Sequence, residues 1–280
     1  MPQFLSTPTG SYPPNTSVED TMNKPSLSRT ETDELIHWAT RDQADLALDG
    51  ITDGEGYRES MYYVYQKRLD GITLEGMVKQ AFGTAGFGIE SARLIGEIKN
   101  SRFEWARNWK LARHVAPTRC RVKQTVTGPH VLTRLRVNQR HDLCPDAQTL
   151  CRAYAQIMAA ELREVIAAAC DYIQFDEHMY PESREDSPWA AEILNERIGS
   201  LPRVRFGLHV CGGNTGRKRS SPRRLTKRIS PMVLESNCTK TLCNWRFGAN
   251  FEREADPPKL LKTLKTEGKG WFDWSARTRL

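Results

Sequence analysis

The chain has 280 residues, 39% of them hydrophobic, and a formal net charge of +7. That is enough apolar material for one large domain of the size of a single α/β barrel, ~250 residues. No run approaches the ~18 to 20 apolar residues of a membrane span, and no charged-then-apolar opening marks a secretory signal.

Residues 1–30 are rich in Pro, Ser and Thr and read as a leader, with a short first strand over 4–13 (FLSTPTGSYP) ending in a Gly-Ser turn. Residues 31–280 read as one barrel domain carrying a basic loop at 215–230. The spacing predicts a helix over 31–48, capped by Thr30 with Asp33 three residues on, and striped by Leu35, Trp38, Ala39 and Leu46. A short strand over 50–56 (GITDGEG) runs into an acidic turn, and a second helix follows over 57–69. Residues 71–115 are mixed: a Gly-rich stretch, then a helix from Ser91, together an excursion from the main fold. Alternation predicts a strand over 121–129, stopped by Gly-Pro.

The strongest helical pattern spans 147–171, where Leu150, Tyr154, Ile157, Met158, Leu162, Val165 and Ile166 recur at helical spacing. The strand 172–176 (YIQFD) follows directly and ends in Asp-Glu-His. A helix over 188–198 has Ser187 as its cap and Pro188 at its first position. In 203–211, Val204, Phe206 and Leu208 alternate as in a strand that ends in a Gly-Gly-Asn turn. A short strand over 232–235, a helix over 259–264 and a last strand over 270–274 complete the pattern.

The seven cysteines, at 120, 144, 151, 170, 211, 238 and 243, are an odd number without disulfide-framework spacing, which fits a reducing cytoplasm. Cys120, Cys151 and Cys170 lie in strand or helix patterns and are expected in the core. The positive charge is local. Residues 217–228 (RKRSSPRRLTKR) hold seven basic residues and no acid, which equals the net excess of the whole chain. Such a run reads as a solvated loop, and nucleic-acid binding is not expected.

Polar residues gather just after the strands: Ser11, Asp53 and Glu55, Asp176 and Glu177, His209 and Cys211, Glu235, Asp273. Alternating strands and helices argue for a parallel sheet with helices outside. Reactive residue types at many strand ends argue for the (β/α)8 barrel, whose active sites lie on that face. Seven strands are countable and no repeat is apparent. The expected fold is therefore an α/β TIM barrel, incomplete at the C-terminus with its last strand missing.

His209 and Cys211 are two residues apart in a strand and so share a face, which is half of a tetrahedral zinc site. Glu235, closing the next strand, gives a third protein ligand and leaves a position open, as in a catalytic Zn2+ site. Cys238 would be a fourth. A thiolate-bearing site suits zinc and a sulfur substrate. Asp176 and Glu55 are acceptor-only groups suited to an ammonium. Glu177 and His178 are weaker candidates, with side chains free to face outward.

The order Gly-Ser-Tyr-Pro (10–13), Asp-Gly-Glu (53–55), Gly-Pro (128–129), Ile-Gln-Phe-Asp-Glu (173–177), His-Val-Cys-Gly-Gly-Asn (209–214) and Leu-Glu (234–235) resembles the cobalamin-independent methionine synthase family. More closely, it resembles the short single-barrel relatives of that family's C-terminal catalytic domain. The resemblance implies a methyltransferase of methionine biosynthesis that moves a methyl group to the thiol of zinc-bound homocysteine. It implies His209, Cys211 and Glu235 as zinc ligands, Glu55 and Asp176 on the substrate amino group, and Ser11 near its carboxylate. The donor would be a methyl-folate or a methyl-corrinoid. The chain departs from the family in three places. No cysteine follows the seventh strand, so Cys238 or Cys243 would have to serve, or the site has three protein ligands. Asp273 is followed by Trp274 and Ser275 rather than by the family's histidine acid, so no catalytic residue is assigned. His178 stands where proline is usual. Two other readings follow: a zinc-dependent alkyltransferase for another thiol, like the epoxyalkane:coenzyme M transferases of the same superfamily, and a truncated, non-catalytic relative.

Overall fold

Helices and strands intersperse along the described residues, as the apolar patterning requires. The computed structural model describes residues 6–13, 18, 21, 26–58, 63–82, 87–180, 183, 185–210 and the backbone of 233–235. These fall into two units.

In the first unit, α1 (Arg29–Asp45) starts at Ser28, not at Thr30. The Ser28 hydroxyl accepts from the Glu31 N–H at 3.2 Å, and the Glu31 carboxylate accepts from the Ser28 N–H at 2.8 Å. This reciprocal capping box satisfies two donors at once, which Thr30 with Asp33 does not. The helix buries Leu35, Ile36 and Ala39, while Trp38 and Leu46 are half-buried. Residues 6–13 do not form the expected strand. Ser6 instead clamps the entry to β1 (Gly50–Ile51): its carbonyl accepts from the N–H groups of Asp49 and Gly50 at 3.0 Å, and its own N–H and hydroxyl donate to the Asp49 carboxylate at 2.7 and 2.8 Å. A strand needs a ladder, and here a side-chain anchor takes its place. β1 pairs in parallel with β4 (Arg121–Val122).

In the second unit, α2 (Tyr63–Gln66) precedes a long antiparallel hairpin, β2 (Asp70–Phe82) and β3 (Phe87–Lys99). The hairpin corrects the expected helix from Ser91. Residues 91–99 carry helix-compatible Ala, Arg, Leu, Glu and Lys, but pairing with β2 on one side and with β6 (Arg136–Asn138) on the other overrides that local preference. The helix that does follow, α3 (Trp105–Val115), starts later. Its entry is packed by a cluster of Tyr65, Phe103 and Trp105, with ring centroids 4.7 to 5.5 Å apart.

The second sheet of this unit has four strands. β5 (Gln124–Thr127), β7 (Tyr172–Asp176), β8 (Arg205–His209) and β9 (Val233–Glu235) lie side by side, all parallel. α4 (Pro129–Arg134) and α5 (Ala147–Ala167) connect β5 to β7, and α6 (Ser187–Gly199) connects β7 to β8. α5 buries Leu150, Tyr154, Met158, Leu162 and Val165, whereas Ile157 and Ile166 are half-buried at the edge of the stripe. It is capped by Asp146, whose carboxylate accepts from the Thr149 N–H at 2.7 Å. α6 is capped at Asp186, one residue earlier than expected.

The described strands thus form an α/β architecture of three sheets, with two, three and four strands, and these do not close into a barrel among the described residues. The helix expected at 259–264 and the strand at 270–274 lie outside the described residues, as does the basic loop at 215–230. No described helix is long and apolar enough to cross a membrane. The α5 stripe gives a direct check: Leu162→Ala should cost ~3 kcal/mol and Ile157→Ala ~1 kcal/mol, read from urea unfolding midpoints.

Candidate active site

The first group of predicted residues sits where residues 10–12 meet the turn after β1. The Thr52 hydroxyl donates to the Gly10 carbonyl at 2.8 Å, and the Tyr12 N–H donates to the Gly54 carbonyl at 2.9 Å. These bonds bring Ser11 and Glu55 together, and the Ser11 hydroxyl donates to Glu55 Oε2 at 3.0 Å. Gly10 makes room for this pairing, since a Cβ there would stand 2.5 Å from Glu55 Oε1. Glu55 itself has φ +57°, a left-handed conformation unusual for a residue with a side chain, directly after Gly54 at φ +79°. The strain is held by neighbours. The Glu55 N–H donates to Asp53 Oδ1 at 3.1 Å, and the other Asp53 oxygen accepts from the Tyr57 hydroxyl at 2.7 Å. Several hydrogen bonds thus determine the conformation of this buried carboxylate together.

The second group is set by strand register. Thr127 pairs with Asp176, Asp176 with His209, and His209 with Glu235. The last residues of four neighbouring parallel strands therefore stand in one row. Directly paired residues of adjacent strands project to the same face, so the Asp176 carboxylate and the His209 imidazole are neighbours on it. Both are largely buried, with 6% and 8% exposure. The Gln174 side-chain amide donates to Asp176 Oδ1 at 2.7 Å, which holds one carboxylate oxygen in place. Glu235 occupies the corresponding position at the end of β9. Cys211 and Cys238 lie outside the described residues. An imidazole and a carboxylate position at adjacent strand ends suit a divalent zinc ion, with a thiolate completing the set. Among the described residues themselves, no three His, Cys, Asp or Glu side chains gather into a metal-holding group.

Behind the row lies a buried polar cluster that sequence reading underrated. Glu177 does not face outward; it has no exposed surface. Its two carboxylate oxygens accept from the N–H groups of His130 and Val131, both at 3.1 Å. His130 Nε2 lies 3.1 Å from Asp186 Oδ2, and its Nδ1 lies 3.9 Å from Glu177 Oε2. The ring packs on Tyr180 and Trp189. Burial pushes the Glu177 carboxyl up to about 8, against the two N–H groups that favour its charged form. Burial lowers the His130 imidazole, against its bond to Asp186. His178, half-buried, is pushed down to about 4 by burial and then by His209 and His130 nearby. One signal in the sequence does point to this cluster. Gly128-Pro129 starts a helix with no side chain able to cap it, so an acceptor has to come from elsewhere.

Against this geometry, residues 4–199, more than half of the chain, match the family described as "Cobalamin-independent synthase, Catalytic domain". The chain belongs to this family. It is 29% identical over 223 residues to the 2-hydroxypropyl-CoM lyase of Xanthobacter autotrophicus, covering 76% of this chain and 53% of that one. It is 26% identical over 212 residues to the methionine synthase of Sulfolobus acidocaldarius, covering 73% and 60%. The chain thus spans little more than half the length of these curated relatives. Among solved structures, it resembles a B12-independent methionine synthase from Shewanella in complex with selenomethionine (TM-score 0.65, 19% identity, 75% of this chain and 62% of that one). It also resembles a putative vitamin-B12 independent methionine synthase from Listeria monocytogenes (TM-score 0.61, 16% identity, 92% and 85%). The α/β fold expected from the sequence is therefore shown, with structural similarity to the methionine synthase domains.

The buried pair has a pH signature. Between about 4.5 and 8 the folded chain keeps a proton on Glu177 that the unfolded chain has released, so stability falls as pH rises through that window. His130 acts in the opposite sense, but only below its unfolded value of 6.5. Raising the pH from about 6.5 to about 8 should therefore lower the urea midpoint of the wild type, and Glu177→Gln should flatten that slope.

Proposed function

We propose that the chain is a zinc-dependent methyltransferase that moves a methyl group to the thiol of homocysteine, giving methionine. The observation that carries this reading is the row of strand ends, in which Asp176, His209 and Glu235 stand in register on adjacent parallel strands. The likeness to methionine synthases supports it, and supports the expected (β/α)8 barrel as the fold class.

His209 and Glu235, with Cys211, would hold the zinc, and Cys238 would be a fourth ligand. When bound, the metal keeps a coordinated thiol deprotonated at neutral pH. Asp176, one oxygen of which accepts from Gln174, would take the substrate ammonium. Glu55 takes the same class of group, and Ser11 orients the Glu55 carboxylate while lying near the substrate carboxylate. The burial of Asp176 and His209 excludes water, which strengthens each charge contact. In the transfer, the bond from the donor to the methyl carbon breaks and a sulfur–carbon bond forms. The electron pair of the broken bond stays with the donor, a methyl-folate or a methyl-corrinoid.

A second reading, alkyl transfer to a different thiol, is favoured by the likeness to the 2-hydroxypropyl-CoM lyase. The two differ at the amino group: homocysteine carries one for Asp176 and Glu55, whereas an alkanesulfonate thiol does not.

Elemental analysis of the purified chain should find about one equivalent of zinc, largely lost in His209→Ala and in Cys211→Ser. Steady-state assays should find homocysteine methylated and the KM for it raised in Asp176→Asn. A folded wild type that binds no zinc would end the methyltransferase reading. Turnover with a sulfonate thiol but not with homocysteine would favour the second.

A further inference from the structure

We infer that Glu177 is a positioning residue, whose carboxyl group locks the turn after β7 and thereby sets Asp176 and His209 in place. The inference rests on the proposed roles of those two residues. With no exposed surface, Glu177 cannot touch substrate, so it acts through its neighbours.

Four observations meet at this residue. Its carboxylate oxygens accept from the His130 and Val131 N–H groups, which fastens the side chain to the start of α4. Its own N–H donates to the His209 carbonyl at 2.9 Å, which fastens its backbone to the end of β8. The Gly128 N–H donates to the Asp176 carbonyl at 2.9 Å, which ties the end of β5 to the end of β7. Gly128 is also where the carboxylate lies against the chain: a Cβ there would overlap Oε1 and Cδ of Glu177. Side chain and backbone of one residue thus join the ends of three strands. Asp176 is its covalent neighbour and His209 its hydrogen-bond partner, so neither shifts without moving it.

The carboxyl group does two things that a packed apolar residue would not. It satisfies two buried N–H groups at a helix start whose N-cap residue is glycine and offers no side chain. It also fixes the φ/ψ of the turn from a distance, by holding the far end of the side chain. Cutting it to alanine leaves those donors unpaired and removes the fastening of the turn to α4, while the β7 and β8 ladder remains intact. Misplacing a group at a reaction centre by about 1 Å can cost ~10²-fold in rate.

The test uses Glu177→Ala, Gly128→Ala, their double variant and the milder Glu177→Gln, each checked for cooperative unfolding. Zinc affinity is read by chelator competition, and exchange of the Glu177 amide by hydrogen–deuterium exchange. Either alanine variant should weaken zinc binding about 10- to 100-fold, as removal of outer-shell partners does. It should also speed exchange of the Glu177 amide without changing Ile173 or Phe206. The double variant should be no worse than the worse single one, because both break the same contact. Glu177→Gln, which keeps one acceptor, should recover part of the loss, and in the alanine variants kcat for homocysteine should fall more than KM rises. Folded variants with zinc affinity within about twofold of wild type and unchanged amide exchange would overturn the proposal. If the wild type itself takes up no zinc, the methyltransferase reading fails, and amide exchange alone then decides whether Glu177 holds the turn.

Discussion

Parallel pairing in a single register is the constraint on which the rest depends. A parallel ladder fixes which residues of neighbouring strands stand level, and a slip of one residue would turn every side chain to the opposite face. In β5, β7, β8 and β9 that register ends all four strands on polar residues at the same height: Thr127, Asp176, His209 and Glu235. The apolar residues just before them, such as Val126, Phe175 and Leu208, are buried and hold the register. The chemistry at the strand ends is thus a consequence of the packing below it.

Around β1 the same kind of precision is reached by other means. β1 is only two residues long, too short for a ladder to place Glu55. Side chains do it instead: Thr52 holds Gly10, Asp53 holds the Glu55 N–H and accepts from Tyr57, and the Glu55 carboxylate meets Ser11. The left-handed conformation of Glu55 costs on the order of 1 kcal/mol or more, and it persists because several hydrogen bonds determine it together.

Much of this was legible in the sequence where local pattern and tertiary demand agree. The strand at 172–176, the helical stripe on α5 and the buried Cys120, Cys151 and Cys170 were each readable from residue type and position. The polar residues at the ends of β7, β8 and β9 were readable too, because the apolar run that forms each strand stops at them. The hairpin over 70–99 was not legible. Its second strand is built from residues with good helix propensity, and its partner is up to 29 residues away at the Asp70 and Lys99 end. Glu177 was underrated for a related reason. A carboxylate after a strand looks like surface unless one knows that a glycine-capped helix start, nearly fifty residues earlier, lies beside it.

The pairing of β1 with β4 bears on how the chain comes to fold. Gly50 meets Arg121 across a long stretch of chain that holds the whole β2–β3 hairpin. The hairpin and the α5–β7 connection are local and can form early. The β1–β4 contact closes a long loop, and such closures come late and slowly. On the ribosome, the residues around Glu55 would therefore emerge first among the site residues yet wait for β4 before they have a sheet to join. A block in synthesis or folding after β3 would leave α1 and β1 exposed without a partner, so the vulnerable species for aggregation is a chain that already carries a finished hairpin.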